Sequence, residues 1–322
     1  PFLLGAWQRG ERLTLTRNPL YRRRSSGNVQ DVEVTLLPAS QWRRLLSMYE
    51  VGDLDVLNLR SLPLATMDRA RHRHAGDYVS GPRLSTTCAG LAVNQAPFDD
   101  DRVRRALAMT IDREALPDVV AGYVLPATGG FIPPGLPAHS PGIALPFDPV
   151  KARRLLAEAG YPGGRGFPRV SFLCQPDQLR IIEPLRALWR AHLNLEIPRE
   201  AIERSATLER LKKRAPCIFL THFVLDYPDP DNILKIGPTG YWQEIGGWNE
   251  EVSQLVEQAR QSTDPVERVR LYQQADRLLV MEATLVPLIY SRWHRLMRPW
   301  VRLAVSPLGM LLWKDAIVMP HR

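Results

Sequence analysis

The stretch DPVKARRLLAEAGY, residues 148–161, contains the clearest helix signal of the chain. Asp148 followed by Pro149 is the usual order of a helix N-cap and the first helical residue, and Gly160 is the residue type with which helices commonly end. Apolar side chains recur at helical spacing between these ends: Ala152, Leu155, Leu156 and Ala159. The stretch therefore predicts an amphipathic helix that packs one face against a core.

Outward from this helix, strand patterns and helix patterns alternate along the chain. Alternation of period two and short apolar runs predict strands at 12–17, 31–36, 55–59, 88–93, 170–173, 217–220 and 285–290. Helical spacing after a capping residue predicts helices that follow the cluster Asp99-Asp100-Asp101, Asp112, Asn249 and Asp264, and one more over residues 40–48. Gly81-Pro82 predicts a break between two sections of the chain, with the boundary at 81–87. This order of elements predicts an α/β fold.

The composition is that of a globular protein with ample apolar material, since 45% of the 322 residues are hydrophobic and 24% are charged. The net charge is +8, and only five of the 42 basic residues are Lys. The arginines are spread among acidic and apolar residues without a zinc-finger or RRM pattern, so we expect solvated faces and no nucleic-acid partner for this region. No apolar run has the length that crossing a bilayer requires.

The three cysteines, Cys88, Cys174 and Cys217, are isolated from one another in the sequence. An odd number without a CxxC pair argues against a disulfide framework, although one bridge with one free thiol remains open. The chain opens with Pro1-Phe2-Leu3 and no Met, so we expect that a further segment precedes it.

A second informative stretch, HFVLDYPDPDN at residues 222–232, sets Asp226, Asp229 and Asp231 behind an apolar run. Their spacing lacks the Gly and the final Glu of a calcium loop. Carboxylates in one turn also do not face each other across a sugar as those of a glycosidase do. GxSxG, HExxH, P-loop and GxGxxG motifs are absent from the sequence. We therefore expect no catalytic residues, no metal site and no cofactor.

What remains for this stretch is binding without reaction. An ionised Asp226 at the end of a buried strand can hold a cation through a charge-assisted hydrogen bond. Neighbouring aromatic residues would add apolar area and cation–π attraction; they are Phe223, Tyr227, Trp242 and Trp248. The residues alone leave open the alternative in which Asp226 caps a turn and Asp229 and Asp231 are solvated.

Three longer motifs follow one another along the chain: Asn94-x-x-Pro97-Phe98-x-Asp100-x-Arg102-Val103-Arg104-x-Ala106-Leu107, then residues 148–161, then Asp226-Tyr227-x-x-Pro230. Together they resemble the family-5 extracellular solute-binding proteins, which are the peptide, dipeptide and nickel binding components of ABC importers. The resemblance implies a type II periplasmic-binding-protein-like α/β fold, with two lobes joined by a hinge and mixed sheets flanked by helices. It assigns residues 1–86 to part of the first lobe, 87–297 to the second lobe and 298–322 to a return to the first.

The same resemblance implies a function and a site. The protein would bind a peptide-like ligand between its lobes and present it to an ABC permease, as a monomer in the periplasm or at the outer face of a membrane. Asp226 would pair with the ligand's α-ammonium group, and Phe223 stands where the family commonly has Trp. The other expected site residues are Val224, Leu225, Tyr227, Trp242 and Asn94, with Lys212, Lys213 and Arg214 near enough in sequence to meet a ligand carboxylate. The alternative function is that of a ligand-sensing domain fused to an intracellular regulator, which would place it in the cytoplasm.

Overall fold

The computed structural model describes residues 1–116, 122–175, 178–212, 216–235 and 249–321. The chain forms two compact units. Unit 1 contains residues 1–83 and 292–322, and unit 2 contains residues 84–291. Unit 1 is thus built from two segments that are far apart in the sequence, and unit 2 is one continuous segment between them.

Unit 1 begins with a three-stranded antiparallel sheet formed by β1 (Phe2–Gln8), β2 (Arg12–Arg17) and β3 (Asp31–Thr35). Helix α1 (Trp42–Val51) follows, and its residues Leu45 and Tyr49 are buried. Strand β4 (Val56–Asn58) and helix α2 (Leu64–Arg73) complete the first segment. The strands predicted at 12–17 and 31–36 and the helix predicted over 40–48 are confirmed, with the helix ending a few residues later, at Val51.

The next strand, β5 (Tyr78–Leu91), is 14 residues long and runs without interruption through Gly81-Pro82. The dipeptide therefore does not interrupt the strand, whereas the boundary between the two compact units, after residue 83, falls within the predicted range 81–87. Gly81 is required by packing rather than by a turn, because a Cβ at this position would lie 2.6 Å from a ring carbon of Trp293. A long-range contact thus overrides the local signal of Gly-Pro.

Unit 2 contains the remaining regular elements before the last long strand. They are α3 (Asp101–Met109), β6 (Val124–Pro126), α4 (Pro149–Glu158), β7 (Ser171–Cys174), α5 (Leu179–Leu193), β8 (Arg199–Ala201), α6 (Arg204–Lys212), β9 (Cys217–Val224), α7 (Pro230–Leu234), α8 (Glu250–Gln261) and α9 (Pro265–Glu282). The strands of its sheet follow the order β10-β5-β9-β7-β8, and β6 also pairs with β10. Strand β10 covers Leu285–Met297. Pairing is antiparallel between β5 and β9 and parallel from β9 to β7 and from β7 to β8.

Side-chain caps begin the helices of unit 2 where the sequence predicts them. The carboxylates of Asp100, Asp148 and Asp264 accept backbone N–H groups of the first helical turn at 2.8–2.9 Å. The Asn249 side chain does the same for α8, at 2.7 Å from the Glu251 nitrogen. These caps satisfy backbone donors that have no partner within the helix. The helix predicted after Asp112 extends into residues 117–121, which lie outside the described part of the chain.

The core of unit 2 fills the space between its sheet and its helices. Trp189 of α5 is fully buried, stacks on Phe172 of β7 with ring centroids 5.7 Å apart, and donates its indole N–H to the Leu107 carbonyl of α3. Gly90 of β5 lies against the Phe219 ring of β9, where a Cβ would meet ring carbons at 2.3 Å. The three thiols are all free and buried in this unit, so the disulfide that the sequence left open is not formed. After β10, the short strands β11 (Val301–Arg302) and β12 (Ile317–Val318) pair with each other in unit 1.

Candidate functional site

Strand β9 carries the predicted site at its carboxyl end. Its ladder with β5 covers Ile218–Val224, whereas its ladder with β7 covers only Cys217–Phe219. The N–H group of Leu225 continues the pairing with β5 by donating to the Leu84 carbonyl at 3.1 Å. The last half of β9 therefore extends beyond the β7 ladder while it stays fixed to β5.

The exposure of residues 222–226 alternates along this part of the strand. His222, Val224 and Asp226 are exposed, whereas Phe223 is half-buried and Leu225 is buried. Successive side chains of a strand point to opposite faces, so the first three lie on the open face and the other two on the opposite face. The structure thus separates the predicted group: Val224 lies with Asp226, and Phe223 and Leu225 pack behind them.

The loop after β9 is held by helix α7, which begins immediately after Asp229. The Asp229 carboxylate caps α7 by accepting the Asp231 N–H at 2.9 Å, and Pro230 occupies the first turn. Arg268 of α9 donates to both oxygens of the same carboxylate, at 2.9 and 3.0 Å, and to the Tyr272 hydroxyl. This hydrogen bonding raises the pKa of the Arg268 guanidinium. Asp229 is therefore a helix cap and an ion-pair partner, which differs from the solvated carboxylate of the alternative given above.

The rest of the loop is also tied to its surroundings. Asp231 is 9% exposed, accepts the Tyr227 hydroxyl at 3.0 Å, and lies 3.4 Å from the Arg260 Nε of α8. The Asn232 side chain accepts the Asp226 N–H at 2.9 Å. Tyr227, Asp231 and Asn232 thus each have a hydrogen-bond partner, and these bonds hold the loop in position.

The Asp226 carboxylate is the exception in this loop. It is exposed, and within the described residues it has neither a hydrogen bond nor an ion pair. The backbone of Asp226 is fixed at its nitrogen while its charged group is free to receive a partner. Such an arrangement suits a cationic ligand group, because the carboxylate needs no displacement of an internal partner before it binds.

The structure does not bring Asn94 to this group. Asn94 follows the end of β5 at which Leu91 pairs with Ile218 near the start of β9, and Asp226 follows the opposite end. Eight residues of extended chain from Ile218 to Asp226 span roughly 25 Å. Asn94 and Asp226, which belong to separate motifs, thus follow opposite ends of the β5–β9 ladder.

Several other predicted residues cannot be placed. Trp242 and Trp248 lie outside the described residues, as do Lys213 and Arg214, and the side chain of Lys212 is not described. Tyr227 is placed in the loop, 44% exposed, with its hydroxyl on Asp231 rather than open to a ligand. Its ring remains accessible beside Asp226.

His222 is a residue of this face that the sequence analysis does not single out. Its ring nitrogens bind hydroxyl groups of β5: Nδ1 lies 2.9 Å from the Thr87 Oγ1, and Nε2 lies 3.3 Å from the Ser85 Oγ. The signal for it is present in the sequence, since His222, Val224 and Asp226 share the period of two that places them on one face. Nothing in the sequence, however, indicates which strand supplies the hydroxyl groups.

In the described ranges, His, Cys, Asp and Glu side chains nowhere gather in a group of three that could hold a metal ion. The described helices are too short or too polar to span a membrane.

Comparisons with known proteins agree on one family. The family model of the bacterial extracellular solute-binding proteins, family 5 (middle region), matches residues 1–242. The chain is 28% identical over 313 residues to the probable deoxycholate-binding periplasmic protein YgiS of Escherichia coli K12, covering 93% of this chain and 56% of that protein. It is 29% identical over 227 residues to the glutathione-binding protein GsiB of the same organism, covering 67% of this chain and 44% of that protein.

A solved structure shows the same fold. The murein tripeptide binding protein MppA of Escherichia coli superposes with a TM-score of 0.74 at 21% identity, covering 99% of this chain and 64% of that chain. The predicted α/β fold of periplasmic binding proteins is thus confirmed. The chain spans about half the length of the curated relatives named above.

Proposed function

Because the chain belongs to the family-5 bacterial extracellular solute-binding proteins, we propose that the intact protein is the binding component of an ABC importer and takes a peptide-like ligand. The observation that carries the proposal is the exposed Asp226 carboxylate, which has no partner within the described residues and lies on a loop fixed by Asp229, Arg268 and Asn232. An α-ammonium group is the cation that every peptide with a free amino terminus offers. The ion pair would be strengthened by removal of water when the ligand covers it.

The backbone of β9 adds a second element to the proposal. Since the Leu225 N–H points to β5, the backbone groups of its neighbour Val224 point away from β5, beyond the end of the β7 ladder. An extended peptide can add to such a strand through main-chain hydrogen bonds, which recognise peptides without regard to their side chains. Asp226 would then fix the register by holding the amino terminus.

The names of the relatives support a small amphipathic or peptide ligand. GsiB is named for glutathione and MppA for murein tripeptide, and both of these ligands are peptides. YgiS is named for deoxycholate, an anion that lacks an ammonium group. A carboxylate at position 226 favours the first two ligand types, because it attracts an ammonium group and repels an anion.

The family resemblance also supplies the proposed lobes, transport partner, location and oligomeric state. Unit 1 and unit 2 would be the two lobes, the ligand would be handed to a membrane permease from the periplasm by a monomer, and the ligand would leave unchanged. None of the relatives named above is named as a regulator, so the comparisons give the ligand-sensing alternative no support.

The test is ligand binding by the intact protein and its Asp226→Asn variant. We expect at least a tenfold loss of affinity for peptides with a free amino terminus, as for the loss of one member of a desolvated charge pair. Isothermal titration calorimetry with di- to pentapeptides measures this, and amino-terminally acetylated peptides should bind wild type as weakly as free peptides bind the variant.

Asp99→Asn is the matched control, since Asp99 is an exposed carboxylate of the same unit near the other end of β5. It should leave affinity unchanged. Equal binding of free peptides by wild type and Asp226→Asn would remove Asp226 from the site, and tight binding of deoxycholate alone would replace the peptide proposal.

A further inference from the structure

Unit 1 contains a cavity of about 730 Å³ that two strands border. Consecutive residues line it on both strands, 31–35 of β3 and 53–58 in and before β4. A cavity on one face of a strand would be lined by alternate residues, because successive side chains point to opposite faces. Consecutive residues instead indicate that the cavity runs along the edges of the two strands.

The backbone hydrogen bonds of β3 show which of its groups face the cavity. The Arg17 N–H donates to the Gln30 carbonyl, directly opposite, at 2.7 Å. Backbone groups alternate in direction along an antiparallel strand. The N–H and C=O groups of Asp31, Glu33 and Thr35 therefore point away from β2.

Strand β4 has the same arrangement on its own open edge. The Asp55 carbonyl accepts the Arg298 N–H at 2.9 Å, in register with the β4–β10 ladder. By alternation, the backbone groups of Val56 and Asn58 point away from β10. Within the described residues, β3 pairs with β2 alone and β4 with β10 alone. Such unpaired edges are templates for a further strand.

The order of the elements supports a strand between these two edges. Strand β3, helix α1 and strand β4 follow one another as in a βαβ unit, in which both strands belong to one sheet. Here β3 belongs to the sheet of β1 and β2, whereas β4 belongs to the sheet of β10. A strand placed in the cavity would join the two sheets into one.

The rest of the cavity wall indicates the chemistry of its occupant. Arg295 of β10 lines the cavity and is 6% exposed. Its Nη2 donates to the Gly309 carbonyl at 2.5 Å, whereas its Nη1 has no hydrogen-bond partner in the described part of the chain. A buried donor without a partner is unfavourable, so the occupant should bring an acceptor. Apolar side chains from α1 and from the tail after β10 also line the cavity: Leu45, Met48, Val301, Leu303, Leu311 and Trp313.

The carboxylates of the wall decide between two kinds of acceptor. Four exposed acidic residues line the cavity: Asp31, Glu33, Asp53 and Asp55. They would repel a small anion. The carbonyl groups of a polypeptide are uncharged, and they can accept from Arg295 and from the strand edges alike.

We propose that this cavity is the docking site of an extended, apolar segment that the intact protein possesses outside residues 1–322, and that the segment pairs with β3 and β4. The lengths of the relatives favour an occupant from the same chain. Residues 1–322 span 56% of YgiS and 64% of MppA, although they match MppA over 99% of their own length. The relatives thus contain a large amount of further chain. One strand of it fills the cavity, covers the apolar wall and gives Arg295 its acceptor.

Amide hydrogen exchange of the intact protein tests the pairing residue by residue. The amides of Val56, Asn58, Glu33 and Thr35 should exchange on the order of a hundredfold more slowly than unstructured amides, as expected for strands inside a sheet. The Leu57 amide, which points to β10, is the internal reference and should be equally slow. Fast exchange at Val56 and Asn58 beside slow exchange at Leu57 would show an open edge and overturn the proposal.

Photocrosslinking identifies the occupant. The intact protein with Met48→p-benzoylphenylalanine should form an internal crosslink, upon irradiation, to a peptide from outside residues 1–322. Arg43, an exposed residue of α1 that is not among those lining the cavity, is the matched position and should give no such crosslink. A crosslink from position 48 between two copies, or protection that is lost on dilution, would assign the cavity to a second copy and overturn the proposal.

Octanoate is the probe for a small ligand, since it joins a carboxylate to an apolar chain. We expect calorimetry to show no saturable binding by the intact protein, because the segment occupies the cavity. Saturable binding that a folded Arg295→Met variant abolishes would show an open anion site and overturn the proposal. These measurements do not involve Asp226, so their failure leaves the proposed function standing.

Discussion

At the residue scale, Asp276 of α9 is a carboxylate inside the core of unit 2. It has 0% exposure and accepts the N–H groups of Phe131 at 2.6 Å and Ile132 at 3.3 Å. Burial raises the pKa of Asp276 to about 7, and the two backbone hydrogen bonds oppose the rise. Gly130 makes room for this contact, because a Cβ there would lie 2.3 Å from both carboxylate oxygens.

This carboxylate predicts a pH dependence of stability. Between pH 4 and 7 the folded protein holds a proton on Asp276 that the unfolded chain, with the ordinary value of 3.8, has released. The unfolded state then binds fewer protons, so the free energy of unfolding falls as pH rises through this window. The total fall from this group is at most about 4 kcal/mol, at 1.36 kcal/mol for each unit of pKa difference.

Urea unfolding at pH 5, 6, 7 and 8 measures the slope. Asp276→Asn cannot release a proton, so it should lose most of the fall, although its amide meets the Ile132 N–H unfavourably and should lower stability at pH 5. Asp99→Asn should keep the wild-type slope. A slope that is the same in Asp276→Asn and wild type would show that Asp276 is ionised in the folded protein throughout.

At the element scale, α7 and α9 together position the end of β9. Arg268 reaches from α9 to the Asp229 carboxylate that caps α7, and its guanidinium carbon lies 4.9 Å from the Tyr272 ring centroid. Arg268 thus binds Asp229 and the Tyr272 hydroxyl, and we regard it as a positioning residue for the loop that carries Asp226.

Arg268→Met keeps most of the apolar stem and removes the ion pair. We expect at most about a fivefold loss of peptide affinity, because partly exposed pairs contribute up to about 1 kcal/mol. Arg270→Met is the control on the same helix, since Arg270 pairs with Glu267 one turn earlier. The loss should shrink at high salt, and an equal loss in both variants would indicate a general effect of charge rather than positioning.

The elements also show which features the sequence can predict. Asp100, Asp148, Asn249 and Asp264 cap their helices as predicted, because capping depends on residues only a few positions apart. Gly81-Pro82 lies next to the boundary between the units, yet β5 continues through it, because Gly81 packs on Trp293, a residue more than two hundred positions away. Long-range pairing likewise decides that Asn94 lies at the far end of β5.

The same distinction between local and long-range features applies to the candidate site. Asp226 and its loop are contiguous in the sequence, and the family motif identifies them. The separation of Phe223 from Val224 follows from strand alternation, but the burial of one face depends on what packs there. The partners of His222 come from β5, more than 130 positions away, and only the ladder register reveals them.

At the scale of the whole molecule, the charge is divided unequally between the units. Unit 1 has 19 Lys and Arg against 9 Asp and Glu, and unit 2 has 23 against 25. The basic excess of the chain therefore belongs to unit 1. The basic and acidic residues of unit 2 nearly balance, so its net charge is small.

Unit 2 also contains all three thiols, which predicts how they react. Burial raises the pKa of Cys88 and raises that of Cys217 to about 11, and Cys174 is 3% exposed. Thiol reagents attack the thiolate, so at pH 8 none of the three should be labelled during the time in which urea-unfolded protein is labelled completely. Mass spectrometry of peptides after alkylation counts each thiol separately.

The labelling rates of the three thiols also test how unit 2 opens. If unit 2 opens as one cooperative body, the three thiols should be labelled at the same slow rate in the absence of urea. Rapid labelling of one cysteine, or a disulfide found between any two, would contradict the buried free thiols.

The two ends of unit 2 lie side by side. The side chains of Ser85 and Ser291, near its first and last residues, are joined by a hydrogen bond of 2.9 Å on neighbouring strands. Adjacent strands are about 4.8 Å apart, a gap that a short loop closes. In evolutionary and engineering terms, we therefore expect that the whole segment 84–291 could be exchanged for that of a relative at two neighbouring junctions. Such an exchange should transfer ligand preference as a block and leave the chain path of unit 1 unaltered.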